Sequence, residues 1–220
     1  MQKESYFSAE NIERKAAKLI QGLPAYRQKP HIPFALQSSA LLVLDMQKYF
    51  LDPESHAYIP SAKAILPGLQ ALIQAYHDLS LPIIFTRHIN TLQDAGVMER
   101  WWQDLIRENT PLSEIEAELD ISKGIVVKKS QYDAFHQTAL DEILHKCHVT
   151  QVVISGVMTH LCCETTARSA FMRGFEVFFL IDGTATYNAE FHRASLLNLA
   201  HGFAILIRVN DILPEVYDAA

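Results

Sequence analysis

No Gly-rich phosphate loop interrupts the 220 residues. The eight glycines are dispersed, and no nucleotide or dinucleotide fingerprint forms. There is no stripe of Lys and Arg either. With 19 basic against 25 acidic residues the net charge is −6, which argues against a phosphate-neutralising surface and against nucleic acid as a partner. No apolar run approaches the roughly 18 residues that a membrane span needs, so no membrane role is expected. Met1-Gln2-Lys3-Glu4-Ser5 lacks the basic-then-apolar start of a secretory signal. Cysteine is scarce: Cys147, Cys162 and Cys163 cannot all pair, and two of them are adjacent. That pattern reads as free thiols in a reducing, cytoplasmic compartment. The ten histidines include no His-x-His or His-x-x-x-His pair, so neither a metal nor a cofactor is expected.

What is present is a regular alternation. Ala40–Leu44, Pro82–Thr86, Gly124–Lys128, Gln151–Ser155, Phe175–Leu180 and Phe203–Ile207 are short aliphatic or β-branched runs that read as strands. Amphipathic stretches at Ser61–Leu79, His136–Lys146, Cys162–Arg173 and Glu190–His201 read as helices, and Val97–Arg107 and Leu112–Leu119 as shorter ones. Strands that are apolar throughout need helices on both faces, and repeated strand–helix–strand units imply a parallel sheet. The expectation is one α/β domain over 40–220, a three-layer αβα sandwich on a six-stranded, mostly parallel, doubly wound (Rossmann-like) sheet. Residues 1–39 form an arm, with a helix capped by Ser8 that faces inward through Ile12, Ala16, Leu19 and Ile20. An extended stretch punctuated by Pro24, Pro30 and Pro33 follows.

Three strand ends carry chemistry. In a doubly wound sheet ligands bind beyond the carboxyl ends of the strands. Asp45 follows four aliphatic residues, where an unpartnered carboxylate is costly to desolvate; it is either a general acid or base or a turn-forming residue. Lys128 and Lys129 leave the Gly124 strand, and alternation lets only one of them face a site. Cys162 follows Val152-Val153-Ile154 and a Gly156 turn, where a helix N-terminus and a nearby cation would favour a thiolate. Cys163 then points into the core. His88 lies at the Pro82 strand's exit, and Tyr49, Phe50, Trp101, Trp102, Tyr132 and His160 are candidates for shaping a pocket for a small, flat or apolar molecule.

With these segments in view, residues 38–210 resemble the isochorismatase-like hydrolase superfamily. The resemblance rests on Asp45-Met46-Gln47-x-Tyr49-Phe50, Lys129-x-x-Tyr132-Asp133-Ala134-Phe135 and Gly156-Val157-Met158-Thr159-x-x-Cys162-x-x-Thr165-Thr166-Ala167-Arg168. It selects Lys129 over Lys128 and implies an Asp45–Lys129–Cys162 triad in which Asp45 takes the thiol proton. It also implies a cis peptide at Val157–Met158 that aims the Met158 and Cys162 amides at an oxyanion, a substrate site including Gln47, Tyr49, Phe50, His88, Tyr132 and His160, and a homo-oligomer, dimer or tetramer. The activity implied is cleavage of a small amide or carbamoyl C–N bond. The alternative within the family is vinyl-ether hydrolysis of isochorismate with Asp45 as acid, where glycine usually stands in place of Cys162. Two departures are visible. Asp133 replaces a common Ser, and the Asp-x-His metal pattern of nicotinamidases is missing from Asp52-Pro53-Glu54-Ser55-His56, which counts against nicotinamide as substrate.

Overall fold

The computed structural model describes residues 2–23 and 32–213. Pro24 and Pro30 lie outside them. Six strands form one sheet in the order β3-β2-β1-β4-β5-β6, every pairing parallel: β1 Ser39–Leu44, β2 Ile83–His88, β3 Ile125–Lys129, β4 Gln151–Val157, β5 Glu176–Ala185 and β6 Ile205–Ile207. Among the described residues the α-helices are α1 Ile12–Gly22, α2 Lys48–Leu51, α3 Ala62–Asp78, α4 Met98–Trp102, α5 Leu140–Lys146, α6 Glu164–Met172 and α7 Ala189–Gly202.

Strand alternation divides the core into two halves. Leu41, Val43, Phe85, Val153, Phe178 and Leu180 pack with α3 on one face. Ala40, Leu42, Ile84, Val152, Ile154 and Phe179 pack with α5, α6 and α7 on the other. Helices on both faces explain why β1 and β4 are buried at every position. β3 departs from that pattern: it is an edge strand whose Ile125 and Val126 are exposed, and only Val127 and Lys129 turn inward.

Several boundaries differ from expectation for local reasons. The segment expected to be helical over 97–107 stops at Trp102 because Gln103 takes a left-handed conformation, φ +57. The stretch 112–119 is a single 3-10 turn over Pro111–Ser113, after which Ile115 pairs antiparallel with Gln47. α5 begins at Leu140 rather than His136, where the Thr138 hydroxyl accepts the Leu140 N–H. Ser8 is not a side-chain cap: its carbonyl accepts from Asn11 and Ile12, and its own N–H donates to the Asn11 side chain. The arm packs firmly on the domain, with Tyr6 and Phe7 buried and the Glu4 N–H donating to the Tyr187 carbonyl.

Candidate active site

The strand order reverses between β1 and β4, and the crevice there receives Asp45 from one strand and the Cys162 turn from the other. Asp45 sits at φ +50, a left-handed conformation that Asp tolerates better than most residues. The twist redirects its side chain just after the last strand residue. Its backbone N–H donates to Thr86 Oγ1 (3.0 Å), and the Thr86 hydroxyl donates back to Asp45 Oδ1 (2.6 Å).

Gly156 is required where β4 passes β1. Its φ is +105, and a Cβ there would stand 2.0 Å from the Leu44 carbonyl oxygen. The Val157–Met158 peptide that follows is cis. Thr159–Cys163 then make one π-helical turn before α6, so Cys162 precedes the regular helix instead of starting it. Cys163 is fully buried in the core on the α6 side of the sheet, with its Sγ 3.9 Å from the Ser155 carbonyl.

Lys129 joins the two strand ends. It leaves β3 opposite His88 of β2, and its fully buried side chain crosses beneath β2's end to the crevice. Nζ lies 2.7 Å from Asp45 Oδ2, 3.3 Å from Cys162 Sγ, 3.3 Å from His88 Nδ1 and 2.9 Å from the Gln131 carbonyl. Lys128 turns outward to Glu108.

The electrostatics follow from burial and this one cation. Burial is the largest influence and pushes the Asp45 carboxyl up, but the ammonium beside it, together with the hydrogen bonds that the carboxylate accepts, outweighs burial and holds it below the usual carboxylate range. Burial likewise opposes a charged Lys129, and the Asp45 carboxylate reverses the balance and raises it. The thiol goes the other way: burial and then the Asp45 charge push Cys162 up, and Lys129 only partly compensates. The expectation of a depressed thiol pKa is therefore corrected. The resting group is a neutral thiol beside an ionised carboxylate and ammonium.

Asp45, His88 and Cys162 are also the only trio of metal-ligating side chains gathered among the described residues, their ligand atoms all within 4.8 Å of one another. The scattered histidines of the sequence thus do deliver one member to such a cluster. A metal does not fit there, because the Lys129 ammonium already touches all three groups.

Above this floor opens a cleft. Its walls are mostly apolar and aromatic: Tyr49, Phe50, Trp102, Tyr132, Tyr187 and Leu161 surround Met158, His88 and Cys162. The Trp102 indole N–H donates to the Tyr132 hydroxyl, and Tyr49 donates to Asp104 at the rim. No Lys or Arg lines the cleft among the described residues.

Of the residues proposed from the sequence, Gln47 and His160 do not line it. The Gln47 amide is clamped to the backbone of His88, accepting from its N–H and donating to its carbonyl. His160 stacks on Phe191 at 4.5 Å and bonds the Thr186 hydroxyl. Trp101 is 73% exposed and faces solvent, leaving only Trp102 in the wall. Asp133 spends its carboxylate on the Phe135 N–H and the Ser169 hydroxyl.

Sequence reading missed Thr86, Asn90, Asp104 and Tyr187. For Thr86 a signal existed: Ile84, Thr86 and His88 share one side of a buried strand, and two polar residues on such a side need a reason.

These features define a doubly wound α/β protein with a buried thiol, carboxylate and ammonium at the topological switch point. A family model described as the isochorismatase domain matches residues 39–211, and the chain belongs to that family as one of its cysteine hydrolases. Over 174 residues it is 44% identical to nicotinamidase 3 of Arabidopsis thaliana, covering 77% of this chain and 84% of the relative. Among solved structures it is similar to a cysteine hydrolase from Pseudomonas syringae pv. phaseolicola 1448A, with TM-score 0.83 and 27% identity, covering 88% of this chain and all of the other. It is also similar to a pyrazinamidase of Pyrococcus horikoshii in complex with zinc, with TM-score 0.70 and 26% identity, covering 78% of this chain and 99% of that one.

Proposed function

We propose that this protein hydrolyses the C–N bond of a small, neutral, flat carboxamide through a thioester on Cys162. The observation that carries the reading is the Lys129 ammonium in contact with both the Asp45 carboxylate and the Cys162 sulfur at the floor of an apolar cleft. The thiol proton passes to Asp45 as sulfur attacks the carbonyl carbon, and Lys129 stabilises the negative charge that sulfur transiently carries. The Met158 and Cys162 amides receive the oxyanion. Asp45 returns the proton to the departing nitrogen, releasing ammonia or an amine. It then takes a proton from water as water attacks the thioester, and the thiol is restored with a carboxylic acid as product. The buried ion pair is the catalytic acid–base system, and it is neutral overall before and after each turnover.

The 44% identity to a nicotinamidase makes nicotinamide the first substrate to test, even though the expected metal pattern is missing. A pyridine carboxamide matches the aromatic walls in size and flatness. The product carboxylate faces Asp104 at the rim, which favours its release. Isochorismate, a dianion, finds no Lys or Arg among the cleft's lining residues, and that reading is disfavoured. The three free cysteines support a reducing, cytoplasmic setting.

The test is ammonia release from a panel of nicotinamide, pyrazinamide, benzamide and carbamoyl compounds, with pyruvate release from isochorismate alongside. Turnover of at least one amide, lost in Cys162→Ser, is the expected result. Full activity in Cys162→Ser would sink the nucleophile, and enzyme-like pyruvate release would replace the reaction class.

A further inference from the structure

His88 is fixed more tightly than a pocket-lining side chain requires. Asn90 Nδ2 donates to the Ser130 carbonyl (2.8 Å), which orients the Asn90 amide so that its Oδ1 faces His88 Nε2, also at 2.8 Å. That oxygen can only accept, so Nε2 carries the proton. Burial pushes the imidazole down to about 4, so the ring is neutral and Nδ1 keeps a bare lone pair. The lone pair lies 3.3 Å from Lys129 Nζ.

An ammonium has three protons. Around Nζ, the Asp45 carboxylate and the Gln131 carbonyl are the two shortest contacts, at 2.7 and 2.9 Å. Three further acceptors remain: the Tyr132 carbonyl, the most distant at 3.5 Å, and His88 Nδ1 and Cys162 Sγ, which stand at an equal 3.3 Å and compete most closely for the third proton. A neutral thiol is a weak acceptor and an imidazole lone pair a good one; a thiolate reverses that order.

We propose that His88 is a positioning residue whose Nδ1 holds the third Lys129 N–H while sulfur is a neutral thiol or thioester, and yields it to sulfur when the thiolate forms. The exchange is a small tilt of the Lys129 side chain that re-aims this N–H between two acceptors at equal distance, and it moves no proton between heavy atoms. In the resting and acylated states the imidazole keeps Lys129 aimed and satisfied; in the attacking state the donor is already within reach of sulfur. The other groups facing the sulfur are Asp45 at the end of β1, Tyr132 beyond β3 and Cys163 on its own turn, while Asp94 reaches His88. Among these groups Lys129 is the only cation, so the exchange of its third N–H decides how far sulfur is charged.

The inference rests on Cys162 as nucleophile, but its readout does not require turnover. An Asn side chain can place an acceptor where Nδ1 stands, and Gln can replace Nε2 but not Nδ1. The measurement is the pH dependence of Cys162 alkylation with peptide mapping. In His88→Gln, the unclaimed N–H defaults to sulfur and the alkylation midpoint falls by about one unit, a tenfold gain in thiolate population; His88→Asn stays near wild type. The opposite order, Asn shifted and Gln unchanged, would show that His88 matters only through Asn90 and would overturn the proposal.

A second measurement uses the native protein, in case a variant does not fold. Imidazole ¹⁵N resonances should show the Nε2–H tautomer with Nδ1 hydrogen-bonded below the Cys162 midpoint. Nδ1 should lose that bond as the thiolate forms and keep it after Cys162 is alkylated. An Nδ1–H tautomer, or an Nδ1 signal indifferent to the state of Cys162, refutes it. Turnover retained in Cys162→Ser is a different failure, of the nucleophile assignment alone.

Discussion

Replacing Lys129 by Met removes the only cation from a fully buried pair while nearly preserving side-chain length. Asp45 and Lys129 both have side chains with no solvent exposure, so the variant leaves a carboxylate stranded without its counter-ion. Breaking a buried pair from one side typically costs about 3–5 kcal/mol. For a domain of this size each kcal/mol moves the thermal midpoint by about 2–4 °C, so a loss of roughly 6–20 °C is expected at pH 7.5.

The pH dependence separates this cause from mere loss of packing. In the wild type the Asp45 pKa lies below its ordinary value. Its stabilising contribution is therefore fully present above the unfolded pKa of about 3.9 and constant between pH 5 and 7.5. In Lys129→Met the ammonium no longer offsets burial and the carboxyl rises, so folding takes up a proton and becomes easier as pH falls. The gap between the two proteins should narrow by up to about 1.4 kcal/mol per pH unit. Urea unfolding at pH 7.5, 6.25 and 5.0 measures it, and the double variant Lys129→Met/Asp45→Asn should recover most of the loss at pH 7.5. A gap of equal size at all three pH values, or no recovery in the double variant, refutes the electrostatic account.

Asp45→Asn should abolish turnover yet speed alkylation of Cys162 at pH 7.5 by tenfold or more, because the carboxylate is the nearest group holding the thiol up; slower alkylation would mean that Asp45 activates the resting thiol. Thr86→Val removes the hydroxyl that donates to Asp45 Oδ1 at 2.6 Å. At about 1.5–3 kcal/mol for a bond to a charged group, kcat should fall roughly ten- to a hundredfold with KM little changed, while Thr86→Ser restores it. An equal loss in the Ser variant would mean that packing, and not the bond, matters. Gly156→Ala should fail to yield a native thermal transition, since its Cβ would overlap the Leu44 carbonyl and its φ is unsuited to an L side chain; a stable, active variant would show that the β1–β4 approach can relax.

The sheet and much of the site were legible because they rest on local pattern. Runs such as Leu41–Leu44 and Val152–Ile154 have no polar face, which forces helices onto both sides of the strands. Alternation permitted one lysine at the β3 exit, and the family register picked the one that turns inward. What failed was decided by single backbone angles and by tertiary partners. Gln103 in a left-handed conformation ends α4, Trp101 and Trp102 look equivalent until the helix points one outward, and His160 is drawn to Phe191 and Thr186. The direction of the thiol shift was missed for a related reason. A helix N-terminus and a lysine are visible in sequence, whereas complete burial against a carboxylate is not.

The position of β2 explains why the unforeseen groups cluster as they do. It lies between β3 and β1, so the Lys129 side chain must pass its end to reach Asp45. Adjacent strands are about 4.8 Å apart, which puts β3 and β1 nearly 10 Å from each other and leaves Lys129 just long enough to span the gap. A buried ammonium in transit needs acceptors, and the residues at β2's end are placed to meet it: His88, opposite Lys129 in register, offers Nδ1, and Thr86 secures the carboxylate at the far side. Gln47, just past Asp45, then closes both backbone bonds of His88 and locks β2 to β1 at the depth where the span occurs. A lysine reaching across an intervening strand therefore imposes demands on that strand. Thr86, His88 and Gln47 follow from the placement of Lys129 as directly as Asp45 does, and that is why a polar pair follows Ile84 on one side of β2.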